Sequence, residues 1–97
     1  MTITENNRHA LQQYFHHKPV EKAFVFGSYA RGSADEKSDV DILLELDYSK
    51  PIGLEFVQMR IDIEKILNKK VDLVTSRGVS KRILPIIEKE KQLIYAR

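Results

Sequence analysis

Three stretches of this 97-residue chain carry side chains whose types and spacing could do chemistry: Gly27-Ser28, Ser38-Asp39-Val40-Asp41, and Asp72 within Val71-Asp72-Leu73-Val74. Two aspartates one residue apart in a strand leave the same face, roughly 7 Å from each other along the backbone. Burying two carboxylates side by side repels them and costs desolvation unless a cation neutralises them. A third carboxylate at the same sheet end would complete an oxygen donor set suited to hard divalent cations. Gly27 lets a backbone approach a phosphate closely, and Ser28 offers a hydroxyl and an N–H to a phosphate oxygen. Each residue also has a plainer reading. Asp39 and Asp41 could be a turn aspartate and a solvent-facing one, Asp72 could face water, and Ser28 could cap a helix.

The elements that must position these residues follow from periodicity. Thr2 and Glu5 have capping-box spacing, and Leu11, Tyr14 and Phe15 follow at helical intervals, which predicts a helix over 3–17 closed by Lys18-Pro19. Val20 to Phe26 is rich in β-branched and aromatic residues and ends at Gly27, a strand. Residues 28–38 read as a loop with one helical turn at its start. Asp39 to Leu46 is a second strand, whose nearly continuous apolar centre implies burial on both faces. From Ile52 to Leu67, Leu54, Val57, Ile61, Ile63, Ile66 and Leu67 trace a helix that stops at Asn68. Val71 to Thr75 is a third strand. Ser80 opens a further helical segment through Glu88, with Pro85 tolerated only in a first turn or at a kink, and Gln92 to Ala96 is a fourth strand at an edge.

The connections say how the strands pair. The second and third are joined by a crossover helix of 16 residues, Ile52 to Leu67, which is how parallel neighbours are linked and would put Asp41 level with Asp72. The 12 positions from Ser28 to Asp39 are too few for a crossover unit, so the first two strands are expected to be antiparallel, with Gly27-Ser28 beside Asp39. The expected fold class is α/β (α+β), a mixed four-stranded sheet with flanking helices, in a single domain over 1–97.

Composition narrows the chemistry. No cysteine is present, which excludes disulfide frameworks, thiolate metal sites and cysteine nucleophiles. No apolar run approaches the roughly 20 residues of a membrane span, and the first residues hold no apolar signal core, so a cytoplasmic location is expected. Residues 1–48 hold 5 Lys/Arg against 8 Asp/Glu, whereas residues 49–97 hold 11 against 6. An acidic half before a basic half suits metal binding beside phosphate binding, although solvated surface charge would look the same. Gly27 and Gly32 have the glycine spacing of a Walker A loop, but Ser33 stands where its lysine must be. No G-x-G-x-x-G supports a dinucleotide site.

Other residues read as structural. Arg31 reaches a phosphate or ties the loop to Asp35 and Glu36, and Ser38 positions the turn. His9, His16 and His17 read as surface histidines. Tyr29, Tyr48 and Tyr95 read as packing or rim residues. Arg77, Lys81 and Arg82 form a basic cluster whose commoner meaning is a solvated helix end.

The run GSYARGSADEKSDVDILLEL, Gly27 to Leu46, resembles the G-S…D-x-D signature of the DNA polymerase β-like nucleotidyltransferase superfamily. More narrowly it resembles the minimal nucleotidyltransferase (MNT) antitoxins, with A-R-G, S-D-x-D and the later V-D-L-V all present. The resemblance implies the polymerase β-like nucleotidyltransferase fold and transfer of AMP from ATP with two Mg²⁺ ions. It assigns Asp39, Asp41 and Asp72 to metal binding and catalysis, Gly27 and Ser28 to the nucleotide-phosphate loop, and with them Arg31 to nucleotide binding. It implies, as acceptor, a tyrosine of a partner HEPN-domain toxin, an RNase silenced by the modification. Two rival readings remain: a non-catalytic antitoxin that binds its toxin directly, and a nucleotidyltransferase acting on RNA, which the short chain disfavours. Oligomeric state is left open.

Overall fold

The computed structural model of the chain describes residues 2–97. Its elements run α1 (Glu5–His16), β1 (Val20–Phe26), α2 (Ser28–Arg31), β2 (Val40–Leu46), α3 (Glu55–Leu67), β3 (Val71–Thr75), α4 (Leu84–Glu90) and β4 (Gln92–Ala96). The sheet order is β3-β2-β1-β4. β1 pairs antiparallel with both β2 and β4, and β2 pairs parallel with β3, so the sheet is mixed and β4 lies at an edge, as expected. Among the described residues no helix is long and apolar enough to cross a membrane.

Strand alternation sorts the side chains onto two faces. Val25, Ile42, Leu44 and Leu73 join the main core with Leu11 and Phe15 of α1 and Met59, Ile63 and Leu67 of α3. Phe24 and Leu43 point the other way and pack with Ile87 of α4, flanked by Phe26, Val74 and Val79. β2 is therefore covered on both sides, which explains its unbroken apolar centre.

Several boundaries differ from the sequence reading. The hydroxyl that caps α1 belongs to Thr4, which accepts from the Asn7 N–H at 3.1 Å; Thr2 lies outside the helix. Thr4 serves the Asn7 N–H where Thr2 would have served that of Glu5, and spacing alone does not choose between two threonines so placed. Asp39 precedes β2, which begins at Val40. α3 begins at Glu55, and the stripe Leu54, Val57 and Ile61 faces outward, with Leu54 85 % exposed, while Met59, Ile63 and Leu67 are buried. This helix has two apolar stripes, and periodicity cannot rank them. α3 closes on Asn68 in the left-handed conformation, φ 53°. Ser80 opens a hydrogen-bonded turn and α4 itself begins at Leu84, with Pro85 in its first turn, where a missing N–H costs nothing.

Candidate active site

The strand registers build the site row by row. Val74, Leu43 and Phe24 are successive partners across β3, β2 and β1, and Ile87 covers this row. The next row is Asp72, Asp41 and Phe26, in the same order and on the same face. The parallel pairing thus sets Asp41 level with Asp72, as the crossover helix required. Asp39, two residues before Asp41 and outside the strand, is exposed, as is Asp72, whereas Asp41 is half-buried.

Gly27 follows Phe26 and opens α2, a single turn of four residues. Its φ is +72°, a conformation that glycine adopts freely and other residues resist. A Cβ there would fall on the Asp41 carboxylate, with Cγ only 3.0 Å away. The glycine is therefore demanded by the neighbouring aspartate as well as by the turn. Ser28 is the first residue of α2, and no side chain caps this helix, so the capping reading of Ser28 does not hold. Ala30 and Arg31 N–H groups both bond the Gly27 carbonyl at 3.0 Å, and Gly32, also at positive φ, ends the turn.

Burial pushes the Asp41 carboxyl up to about 6, and the charges of Asp72 and Asp39 push the same way; Arg31 opposes them and Glu90 adds to them. Asp41 thus feels both other aspartates, the mutual repulsion a bound cation would relieve. Among the described residues no three His, Asp or Glu side chains are gathered closely enough to hold a metal ion between them. The strand register sets Asp41 and Asp72 level at one sheet end, with Asp39 just before β2. Three carboxylates, one of them raised by burial and by the charges of the other two, are donors of the kind a hard divalent cation takes.

Arg31 meets neither Asp35 nor Glu36, the loop partners that one of its two sequence readings offered. Its Nη1 donates to Oε2 of Glu90 at 2.9 Å, and the Gly27 N–H donates to Oε1 of the same carboxylate at 2.9 Å. The Arg31 hydrogen bond, with that from Gly27, holds the Glu90 carboxyl below its ordinary range against the opposing effect of burial. Glu90 is the site residue that sequence reasoning missed. It lies in a run of alternating Glu and Lys that looks like solvated helix surface, and its partners are 59 and 63 positions away.

Residues read as structural behave so. The Ser38 hydroxyl accepts from the Asp35 N–H and donates to the Asp35 carboxylate, tying the loop before β2. Tyr29 and Tyr95 are buried, and Tyr48 lies at the surface under the Arg77 guanidinium, 3.9 Å from its ring centre. Lys81 and Arg82 are exposed, as are His9, His16 and His17, all away from the aspartates in α1 or just after it.

Carboxylates at the end of a sheet, beside a glycine-opened turn and an arginine, are side chains suited to the chemistry of phosphate esters or anhydrides. The nucleotidyltransferase domain family matches residues 8–94. Protein adenylyltransferase MntA of Thermococcus cleftensis is 41 % identical over 69 residues, covering 67 % of this chain and 69 % of that one. A solved structure described as a candidate minimal nucleotidyltransferase is 31 % identical, with a TM-score of 0.74 over 88 % of this chain and 86 % of its own. The MNT antitoxin in a complex with a tri-AMPylated HEPN toxin of Shewanella oneidensis shares the fold, with a TM-score of 0.68 at 16 % identity, covering 94 % of this chain and 71 % of that one. The chain belongs to the nucleotidyltransferase domain family, as a minimal nucleotidyltransferase, and is an enzyme of the transferase class.

Proposed function

We propose that this protein transfers AMP from ATP to a tyrosine hydroxyl of a partner HEPN-domain toxin and so neutralises it in the cytoplasm. One observation carries the reading: the register that sets Asp41 level with Asp72 beside Gly27, where a side chain would strike the Asp41 carboxylate. The likeness to a protein adenylyltransferase and to an MNT antitoxin seated on an AMPylated toxin supports the acceptor class.

In this reading Asp39, Asp41 and Asp72 would hold two Mg²⁺ ions, and Gly27, Ser28 and Arg31 would hold the triphosphate. When bound, the ions supply Lewis-acid stabilisation of the triphosphate and of the leaving pyrophosphate, and make the acceptor hydroxyl easier to deprotonate. The chain's own residues do the rest. Asp72, exposed at the start of β3, is open to a hydroxyl presented by another protein and takes its proton as the oxygen attacks the α-phosphorus. The bond to pyrophosphate breaks as the bond to the tyrosine oxygen forms. Ser28 offers a hydroxyl and an N–H to the phosphate oxygens, and Arg31 offers charge.

Purified toxin, labelled ATP and Mg²⁺ test the proposal. Label should pass to the toxin with the wild-type protein and be lost with Asp39→Asn or Asp41→Asn. Silencing of the toxin without label transfer would replace catalysis by direct binding. Label on RNA ends in place of protein would point to the RNA reading.

A further inference from the structure

Among the described residues at the site, Glu90 is a charged group for which AMP transfer, as set out above, has no use. It ends α4, and its two carboxylate oxygens accept from two points of α2: the Gly27 N–H that precedes the turn and the Nη1 of Arg31 that completes it, each at 2.9 Å. One side chain therefore spans the whole turn. A second tie comes two residues later, where Gln92 Nε2 donates to the Ala30 carbonyl at 3.1 Å. α2 has four residues and no side-chain cap, so it cannot hold its own shape and its placement must come from outside. Both of these hydrogen-bonded ties come from the junction of α4 and β4, while Tyr29 anchors the turn by burial in the main core.

The exposures show which partner is fixed. The Glu90 side chain is 19 % exposed and that of Arg31 is 55 % exposed, so a packed carboxylate holds a wetter guanidinium. A free surface arginine loses much rotamer freedom when an anion captures it. With one nitrogen held by a carboxylate, that loss is already incurred, and the remaining N–H groups of the planar fork are left for another anion.

We propose that Glu90 is a positioning residue for the nucleotide: by holding the Gly27 peptide and one nitrogen of Arg31 it presets the turn and the guanidinium that receive the triphosphate. The role rests on the nucleotidyltransferase reading with ATP as donor. The opposite role is physically distinct. A carboxylate that merely occupied phosphate donors would compete with ATP, and its removal would tighten binding.

The experiment measures the dissociation constant for MgATP by calorimetry, and KM and kcat for AMP transfer, in Glu90→Ala, Glu90→Gln, Arg31→Ala and the double variant Glu90→Ala/Arg31→Ala. Loss of a charge-assisted hydrogen bond predicts that Glu90→Ala weakens MgATP binding and raises KM about tenfold, with kcat within about threefold of wild type. Glu90→Gln keeps an oxygen for the Gly27 N–H but not the charge facing Arg31, and should fall between; it carries the test if Glu90→Ala does not fold by circular dichroism. In the Arg31→Ala background, Glu90→Ala should weaken binding by clearly less than in the wild type, because part of its effect passes through Arg31. Unchanged or tighter MgATP binding in the Glu90 variants, or equal effects in both backgrounds, overturns the role while leaving the enzyme reading intact. A wild-type protein that binds no MgATP overturns both.

Discussion

On one face of the sheet, Val25, Ile42, Leu44 and Leu73 lie beneath α1 and α3, whose side chains Phe15, Leu11, Met59 and Ile63 are fully buried. On the other, α4 alone covers the row Val74, Leu43 and Phe24 through Ile87, and the next row, Asp72, Asp41 and Phe26, lies beyond that cover. The same three strands, one residue out of phase, supply a packed core to one side and a polar surface to the other. The first face stores the stability. The second gives some of it back, because Asp41 is half-buried beside two like charges.

That contrast can be broken most sharply at Asp41. Asp41→Asn should cut AMP transfer about 10³-fold, read by label transfer, because it removes a residue on which the whole charge arrangement centres. The same variant should stabilise the metal-free protein by about 1 kcal/mol at neutral pH once solvent screening is allowed for. Because the folded carboxyl titrates near 6, above its ordinary range, the folded state retains a proton that the unfolded chain has released. Wild-type stability should therefore fall as pH rises from about 4 to about 6 and stay lowered above that, and Asp41→Asn should flatten the slope. Thermal melts in EDTA across that range check it, and a variant that melts lower than wild type at pH 7 would contradict the contrast.

Phe15→Ala on the packed face should cost about 4 kcal/mol, against about 2 for Ile87→Ala beneath α4. Denaturant titration reads both, and for a chain of this size the first is a large part of total stability. Gly27→Ala should reduce transfer about 10²-fold, since its Cβ displaces the Asp41 carboxylate and its φ is strained; a variant of normal activity would show that the turn tolerates a side chain.

The smallest effect lies far from both faces. Asp47, held by the Ser49 hydroxyl and by Arg97, titrates near 2, below its ordinary range. Its stabilisation is present above about pH 4 and is lost as pH falls toward 2. The melting temperatures of wild type and Asp47→Asn should differ slightly at pH 7 and converge by pH 2.

Much of the candidate site is legible in the sequence alone, for reasons that differ by residue. Asp41 and Asp72 stand out because they interrupt strands that are otherwise apolar, Asp39 because it stands two positions before Asp41, and the 16-residue crossover implies that Asp41 and Asp72 are level. Gly27 was legible as a turn glycine, but not as the residue that makes room for Asp41. Arg31 reads from sequence as a phosphate contact or a tie to Asp35 and Glu36; its ion-pair partner is instead Glu90, 59 positions away, which sequence neighbours could not suggest. The periodic residues of α3 mix two stripes, Ile63 and Leu67 turned inward and Leu54, Val57 and Ile61 outward, and spacing alone does not say which is buried or that Met59 joins the inward one.

The sequence by itself determined the elements, their order and the parallel pairing of β2 with β3, because propensity, turn residues and connection length are local quantities. Only the tertiary structure decided what meets across long separations. The Asp41 carboxylate fills the space that Gly27 lacks a side chain to occupy, and Glu90 closes on Gly27 and Arg31 from the far end of the chain. Such contacts depend on how the helices seat on the sheet, and burial and charge at the site follow from that seating rather than from any residue's neighbours in sequence.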